Sequence, residues 1–271
     1  MKIVLIYRAE NKRNLEISRK ILDILEKTKH EIIKIGLNNK EILEKEISNS
    51  SVVIVVGGDG TIMHVAKICA RHDKLILGVN SGKLGFLANF TEFDLYKIPK
   101  ILENKYENIP VLKRMMFEVE IPEKSQSLQV FNEIVISRDL KSHIVNFRLS
   151  QDYKKVCEYS ADGIIIATPS GSTAYSLSAG GPVVDPQINC AIVTPICAHS
   201  LTARSFILDP CKEITVNYEL KNDSGIYISI DGYISHISIE NSHIIIKKSD
   251  LFSKFINLND TNIYQKLNKI Y

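Results

Sequence analysis

The sequence predicts two structural units: an α/β N-terminal domain with a doubly wound parallel sheet, then a β-rich C-terminal domain, with the C-terminal tail returning to the first. Three observations carry this. Apolar strands and helix-spaced segments alternate through residues 1–103, which is the pattern of a parallel sheet with crossover helices. From about Val111 long β-type runs take over and helix becomes sparse. The stretch Asp260–Lys269 is helical in character again. The predicted boundaries are 1–103 plus 250–271 for the α/β domain and 104–249 for the β-rich domain.

Met1–Tyr7 is too short an apolar run for a signal core and meets Arg8, Glu10 and Lys12 at once, so it reads as a buried first strand. Leu15, Ile17, Ile21, Leu22, Ile24 and Leu25 recur at helical spacing among Glu and Lys. Glu31–Ile35 is a strand, and Glu41–Ile47 a short helix. Val52–Val56 is an unbroken apolar strand, as expected of one buried on both faces. A helix from Thr61 to about Arg71, a strand at Leu75–Val79 and helical character over Phe93–Leu102 complete the first domain. Strand runs follow at Met116–Ile121, Leu128–Ile136, Ile144–Leu149, Ile214–Tyr218, Ile226–Ile230 and Ile244–Lys247, and Ser172–Ala179 is the main helix candidate among them. The chain shows no internal repeat and no low-complexity linker.

The 271 residues are 45% hydrophobic, enough to fill the cores of two medium domains. A net charge of +3, from 34 basic and 31 acidic residues, is scattered apart from Lys12-Arg13 and Lys247-Lys248. It makes no case for a nucleic-acid or membrane partner. Cys69, Cys157, Cys190, Cys197 and Cys211 are odd in number without a CxxC pair, and no histidine cluster has metal-ligand spacing. Reduced thiols and a cytoplasmic location are expected. No segment approaches the roughly 18 apolar residues of a membrane span.

The first functional signal is Gly57-Gly58-Asp59-Gly60-Thr61, directly after an apolar strand and before a helix. Gly57, Gly58 and Gly60 would let the backbone take positive φ and approach a ligand, Thr61 would cap the helix, and the helix N-terminus adds positive charge. Physically this is a phosphate cradle, though neither a GxxxxGK[ST] loop nor a GxGxxG fingerprint, since Met63 stands where the last glycine would be. Asp59 repels phosphate unless it has a task, such as holding a divalent metal or accepting a proton from an attacking hydroxyl. The alternative is a tight turn with Asp59 as a local cap.

The second signal is Ile164–Ala167 running into Thr168-Pro169-Ser170-Gly171-Ser172-Thr173-Ala174-Tyr175, a hydroxyl-rich helix entry where donors converge on a base or phosphate, or where Ser170 or Ser172 caps a helix. Asn132-Glu133 interrupts an apolar run with two adjacent hydrogen-bonding groups. One of them should face inward by strand alternation, unless the run lies at a sheet edge. Glutamate suits a ribose diol, and asparagine an adenine edge. Asp162 before Gly163 and Asp231 before Gly232 are turn residues or site residues; His199 is read as structural.

Gly57–Thr61, Asn80-Ser81-Gly82-Lys83-Leu84-Gly85-Phe86-Leu87, Asn132-Glu133, Thr168–Pro182 and Thr194-Pro195-Ile196-Cys197 with His199-Ser200-Leu201 together resemble the NAD kinase family, in order and over most of the chain. The resemblance implies phosphoryl transfer from ATP, in some members polyphosphate, to the 2′-hydroxyl of the adenosine ribose of NAD, giving NADP. ATP would come with a divalent metal, Mg²⁺ or Mn²⁺, and the protein would form a homo-oligomer, dimer or tetramer. It implies that Asp59 sits by the reacting hydroxyl, that Gly57, Gly58, Gly60, Thr61 and Phe86 belong to the nucleotide site, and that Asn132 and Glu133 contact the adenosine. Ser170, Thr173, Ala174 and Tyr175 would line the adenine side, Asp162 the nicotinamide end, and Asp231 would lie near the phosphates. Lys83 stands where the family favours His or Arg, and Ala198 and Ser205 where proline is common. Two other readings share parts of this pattern: a lipid kinase, which has a similar first loop and no use for Thr168–Pro182, and a nucleotide sensor that turns nothing over.

Overall fold

In chain order the first unit, Met1–Arg114 with Leu251–Tyr271, starts with β1 (Lys2–Tyr7), α1 (Lys12–Leu25), β2 (Glu31–Gly36), α2 (Lys40–Ser48), β3 (Val52–Gly57), α3 (Asp59–Arg71), β4 (Leu75–Asn80) and α4 (Ile98–Glu103). The computed structural model describes the chain apart from residues 39, 83–84, 105, 140–143, 201, 221–224, 239–241, 258–262 and 271. The strands lie in the order β2-β1-β3-β4, all parallel, so the order reverses between β1 and β3. In open α/β sheets ligands bind past the strand ends at such a reversal, and the glycine-rich turn follows β3.

Both faces of this sheet are covered. On one, Ile17, Ile21 and Leu25 of α1 and Ile98, Ile101 and Leu102 of α4 join Ile3, Leu5, Ile54 and Leu77 in a single apolar cluster. On the other, α3 packs on β3 and β4 through buried Ile62, Val65, Ala66 and Cys69. All six residues of β3 are buried, hence its unbroken apolar run. The start of α1 is set by Asn11, whose side chain accepts the Asn14 N–H at 3.1 Å.

The second unit, Met115–Asp250, is β-rich. After β5 (Val111–Ile121) come β6 (Gln126–Val130), β7 (Glu133–Arg138), β8 (Val145–Gln151), β9 (Lys154–Ala161), β10 (Gly163–Ala167), α5 (Tyr175–Ser178), β11 (Ala191–Ile196), β12 (Phe206–Leu208), β13 (Ile214–Glu219), β14 (Ile226–Ile230) and β15 (Tyr233–Ser238). One antiparallel sheet runs β12-β11-β10-β7-β14-β15. A second antiparallel run joins β9, β8 and β13 to β16 (Ser242–Ile256). This 15-residue strand leaves the second unit, and its Lys254 and Phe255 pair in parallel with Leu75 and Ile76 of β4. The last element, α6 (Ile263–Ile270), belongs to the first unit; Asp260, Thr261 and Asn262, expected within it, lie outside the described residues.

Four sequence expectations are corrected. The run Leu128–Ile136 is two strands, β6 and β7, broken at Phe131-Asn132, because β6 pairs with β5 while β7 enters the other sheet. Helix α3 begins at Asp59 rather than Thr61, with Gly58 as its N-cap, so Thr61 is buried inside the first turn and caps nothing. None of Gly57, Gly58 and Gly60 has positive φ. The helix expected over Ser172–Ala179 is a 3₁₀ turn at Ser170–Thr173 followed by the four-residue α5.

Ile54, fully buried at the centre of the parallel sheet, tests this core. Ile54→Ala is expected to lower the unfolding free energy by about 2–5 kcal/mol, measured as an earlier midpoint in urea at unchanged slope.

Candidate active site

Two groups of residues have the chemistry of a site, one in each unit. In the first, Asp59 stands in the first turn of α3, where the helix dipole favours a carboxylate. Its oxygens are held from across the fold: Oδ2 accepts the Phe86 N–H at 2.7 Å and Oδ1 the Leu87 N–H at 3.1 Å. Asp59 is therefore bound to the loop after β4 rather than serving as the N-cap of its own helix, a place that Gly58 holds. Gly85 permits this grip, since a Cβ there would lie 2.2 Å from Asp59 Oδ1. A Cβ on Gly57 would come within 2.9 Å of the Thr61 side chain, so close strand-to-helix packing is what requires that glycine. Gly58 and Gly60 face open space, and a Cβ on either would meet nothing within 4 Å.

The loop carrying those two amides is itself cross-linked. Lys266 of α6 donates to the carbonyls of Phe86 at 3.0 Å and Ala88 at 2.8 Å and to Asn89 Oδ1 at 3.1 Å. Arg114 Nη2 also reaches the Phe86 carbonyl, at 3.4 Å. Burial pushes the Lys266 ammonium down to about 8, the Arg114 charge adds to this, and the Asp59 carboxylate opposes it. Lys83, singled out in the sequence, lies outside the described residues.

In the second unit the break between β6 and β7 is built on Asp231, which has φ +52° and is buried. Its carboxylate accepts the N–H groups of Phe131 at 3.1 Å, Asn132 at 2.7 Å and Glu133 at 3.3 Å. Thr168 ties the next turn to the same bend: its N–H meets the Asn132 carbonyl at 2.8 Å and its hydroxyl the Phe131 carbonyl at 2.7 Å. Gly171 is packed so closely there that a Cβ would fall 2.2 Å from the Asn132 oxygen. Ser172 is spent on the scaffold, donating to the Pro169 carbonyl and accepting the Val184 N–H.

Glu133 opens β7, which lies between β10 and β14 and so is not a sheet edge. It is 5% exposed, and its Oε2 has no hydrogen-bond partner. Burial, and secondly the Asp231 carboxylate, raise its carboxyl to about 7. Glu133 lines a cavity of about 590 Å³ together with Asp162 and Tyr175. Asp162 is held by the Arg138 guanidinium at 2.7 Å. Of the residues singled out in the sequence, Glu133, Asp162 and Tyr175 thus share this cavity. Asn132, Ser170, Thr173 and Ala174 sit on the adjoining bend and turn, and Asp231 supports the bend from behind.

Sequence reasoning passed over several residues. Ser137, Arg138, Tyr227 and Ser229 line the cavity, and Glu133, Val135 and Ser137 do so as alternate residues of one strand, as Tyr227 and Ser229 do on β14. Polar residues at period two on central strands were the available signal. For Lys266 the signal was a lysine three residues after Ile263, on the apolar face of a predicted helix.

The ATP-NAD kinase N-terminal domain family matches residues 5–108, and the ATP-NAD kinase C-terminal domain family residues 131–258. A NAD kinase of Caldanaerobacter subterraneus subsp. tengcongensis is 34% identical over 278 residues, covering 98% of this chain and 97% of its own length. One of Carboxydothermus hydrogenoformans is 36% identical over 229 residues, covering 83% and 80%. Among solved structures, a NAD kinase from Archaeoglobus fulgidus in complex with ATP superposes with a TM-score of 0.78 at 24% identity, over 100% of this chain and 97% of that one. Yeast NADH kinase complexed with NADH gives 0.83 at 21% identity, over 100% and 87%. These two likenesses are of fold.

The buried Glu133 makes stability depend on pH. Its folded value, about 7, lies above the ordinary 4.5, so the folded protein keeps a proton that the unfolded chain releases, and stability falls as pH rises from about 4.5 to 7. Glu133→Gln removes this. Above pH 7 it is expected to be more stable than the wild type by about 1–3 kcal/mol, with the difference vanishing toward pH 4.5, as read by urea unfolding across pH.

Proposed function

This chain belongs to the NAD kinase family, and from that premise we propose how its residues divide the work of phosphorylating NAD. It is an NAD kinase, an enzyme that makes NADP from NAD. In our reading the donor is ATP, the acceptor is the 2′-hydroxyl of the adenosine ribose, and the observation that carries the reading is the grip on Asp59.

Each Asp59 oxygen takes one backbone N–H, which fixes the carboxylate plane and leaves each oxygen a further lone pair for a proton. Asp59 is the base: as the ribose oxygen bonds to the γ-phosphorus and the bond to the ADP oxygen breaks, the hydroxyl proton passes to Asp59. Gly57, Gly58, Gly60 and Thr61 shape the approach for the donor phosphates, with the open side of Gly58 and Gly60 at the N-terminus of α3 supporting this. Among the described residues no three His, Cys, Asp or Glu converge into a cage for an ion. A divalent cation, Mg²⁺ or Mn²⁺, bound with ATP would neutralise the charge of its phosphates.

The second unit recognises the dinucleotide. Glu133 offers an unpartnered buried oxygen to a ribose hydroxyl, Asn132 an amide to the adenine, and Ser170, Thr173, Ala174 and Tyr175 a turn against the base. Asp162 takes the nicotinamide end. For Asp231 its three amide contacts favour supporting the Asn132-Glu133 bend over touching phosphate itself. Self-association into a dimer or tetramer belongs to the same reading, supported by exposed Ile207 on edge strand β12 and exposed Tyr233 and Ile234 on edge strand β15. So does a cytoplasmic location, supported by five free thiols.

NADP formed from NAD and Mg-ATP, or from NAD and polyphosphate, is measured by coupling to an NADP-specific dehydrogenase. Asp59→Asn keeps one acceptor oxygen and turns an NH2 toward the other amide; with its fold checked by circular dichroism it should lose about 10²–10⁴-fold in kcat, the base being gone and half of the grip with it. Folded Asp59→Asn with wild-type turnover would dismiss Asp59 as the base. Gly85→Ala, which forces the carboxylate out of its amide grip, is expected to lower kcat on the order of 10²-fold in the same assay.

A further inference from the structure

An amphipathic helix normally buries apolar side chains, yet α6 buries a lysine. Ile263 is 9% exposed and Lys266, three residues on, 5%. An ammonium is taken out of water only where its protons are fully used. Here all three are: the oxygens of Phe86, Ala88 and Asn89 each lie within 3.1 Å of Nζ. The protonated side chain has no lone pair and no spare donor, so it is neither a base nor a phosphate ligand. What it holds is the stretch of backbone whose N–H groups hold Asp59.

We infer that Lys266 is a positioning residue for the kinase reaction: by cross-linking Phe86, Ala88 and Asn89 it fixes the two amides that orient the Asp59 carboxylate. The inference rests on the reading of Asp59 as the base. Among the described residues, the charged groups facing Lys266 are Arg114, from β5, and Asp59, from α3; the first disfavours the ammonium and the second favours it. With burial they bring it to about 8, so above that pH one of the three contacts becomes a nitrogen lone pair facing an oxygen, and the clamp loosens.

Three measurements test this. Hydrogen exchange over residues 85–90 is compared in wild type and Lys266→Met, an apolar side chain of similar length. The amides of Phe86 and Leu87 should exchange about tenfold faster or more in the variant. In NADP formation across pH 6–10, Lys266→Met should lose about 10–100-fold in kcat with KM for NAD within about twofold. Wild-type kcat should bend downward above about pH 8, and the bend should be missing in Lys266→Arg, whose guanidinium stays protonated and keeps its donors. That variant carries the test should Lys266→Met not fold. Unchanged exchange, unchanged kcat in folded Lys266→Met, or a persisting bend in Lys266→Arg would each overturn the proposal. Asp59→Asn is assayed alongside: wild-type turnover there would remove the premise about the base, and the exchange measurement, which needs no activity, would then decide the clamp by itself.

Discussion

Both sites depend on one device, an aspartate that collects backbone N–H groups from a distant part of the chain. Asp231 gathers the amides of Phe131, Asn132 and Glu133, about a hundred residues away in sequence, and so makes the break that sends β6 and β7 into different pairings. Amides at a sharp bend have no ladder partner, and leaving them unpaired in a buried place is costly. The carboxylate removes that cost, and the bend in turn aims Glu133 into the cavity. Asp59 repeats the arrangement in the first unit with Phe86 and Leu87, and there the acceptor is also the group proposed to do the chemistry.

Such a device needs close approach, which explains where glycine is demanded. Gly85 lies against Asp59, Gly171 against the Asn132 carbonyl and Gly57 against Thr61, at distances that a Cβ would reduce to below van der Waals contact. The need is for space rather than for an unusual φ; the positive φ values fall elsewhere, at Asp231 and Gly232 among others. At these three positions glycine serves as room for a carboxylate, a carbonyl or a side chain, whereas Gly58 and Gly60 face open space.

The sites also hold charge where stability would favour its absence. Glu133 is raised and Lys266 lowered, each mainly by burial and each further disfavoured by a like charge, Asp231 in one case and Arg114 in the other. Neither is needed to fill a core. A carboxyl with an unpartnered oxygen in a cavity and an ammonium with every proton assigned are opposite solutions: the first is poised for a ligand, the second is structurally saturated. A lipid kinase would have no use for Glu133 and Tyr175 lining one cavity, and the chain belongs to the NAD kinase family.

What the sequence determined by itself is whatever depends on local order and burial. The unbroken apolar run of β3, the helical spacing of α1 and the shift to β-type runs after Val111 follow from which residues must leave water, and this periodicity survives any tertiary context. The motifs around Asp59, Asn132-Glu133 and Ser170–Tyr175 were legible for the same reason, as interruptions of apolar runs by groups that a core rejects. Only the tertiary structure decided where Leu128–Ile136 breaks, that the Phe86 and Leu87 amides hold Asp59, that Asp231 faces amides, and that Arg138 and Lys266 join these groups. Each of these is fixed by a partner 20 to nearly 200 residues away, and a hydrogen bond across that separation leaves no periodic mark on either end of the chain.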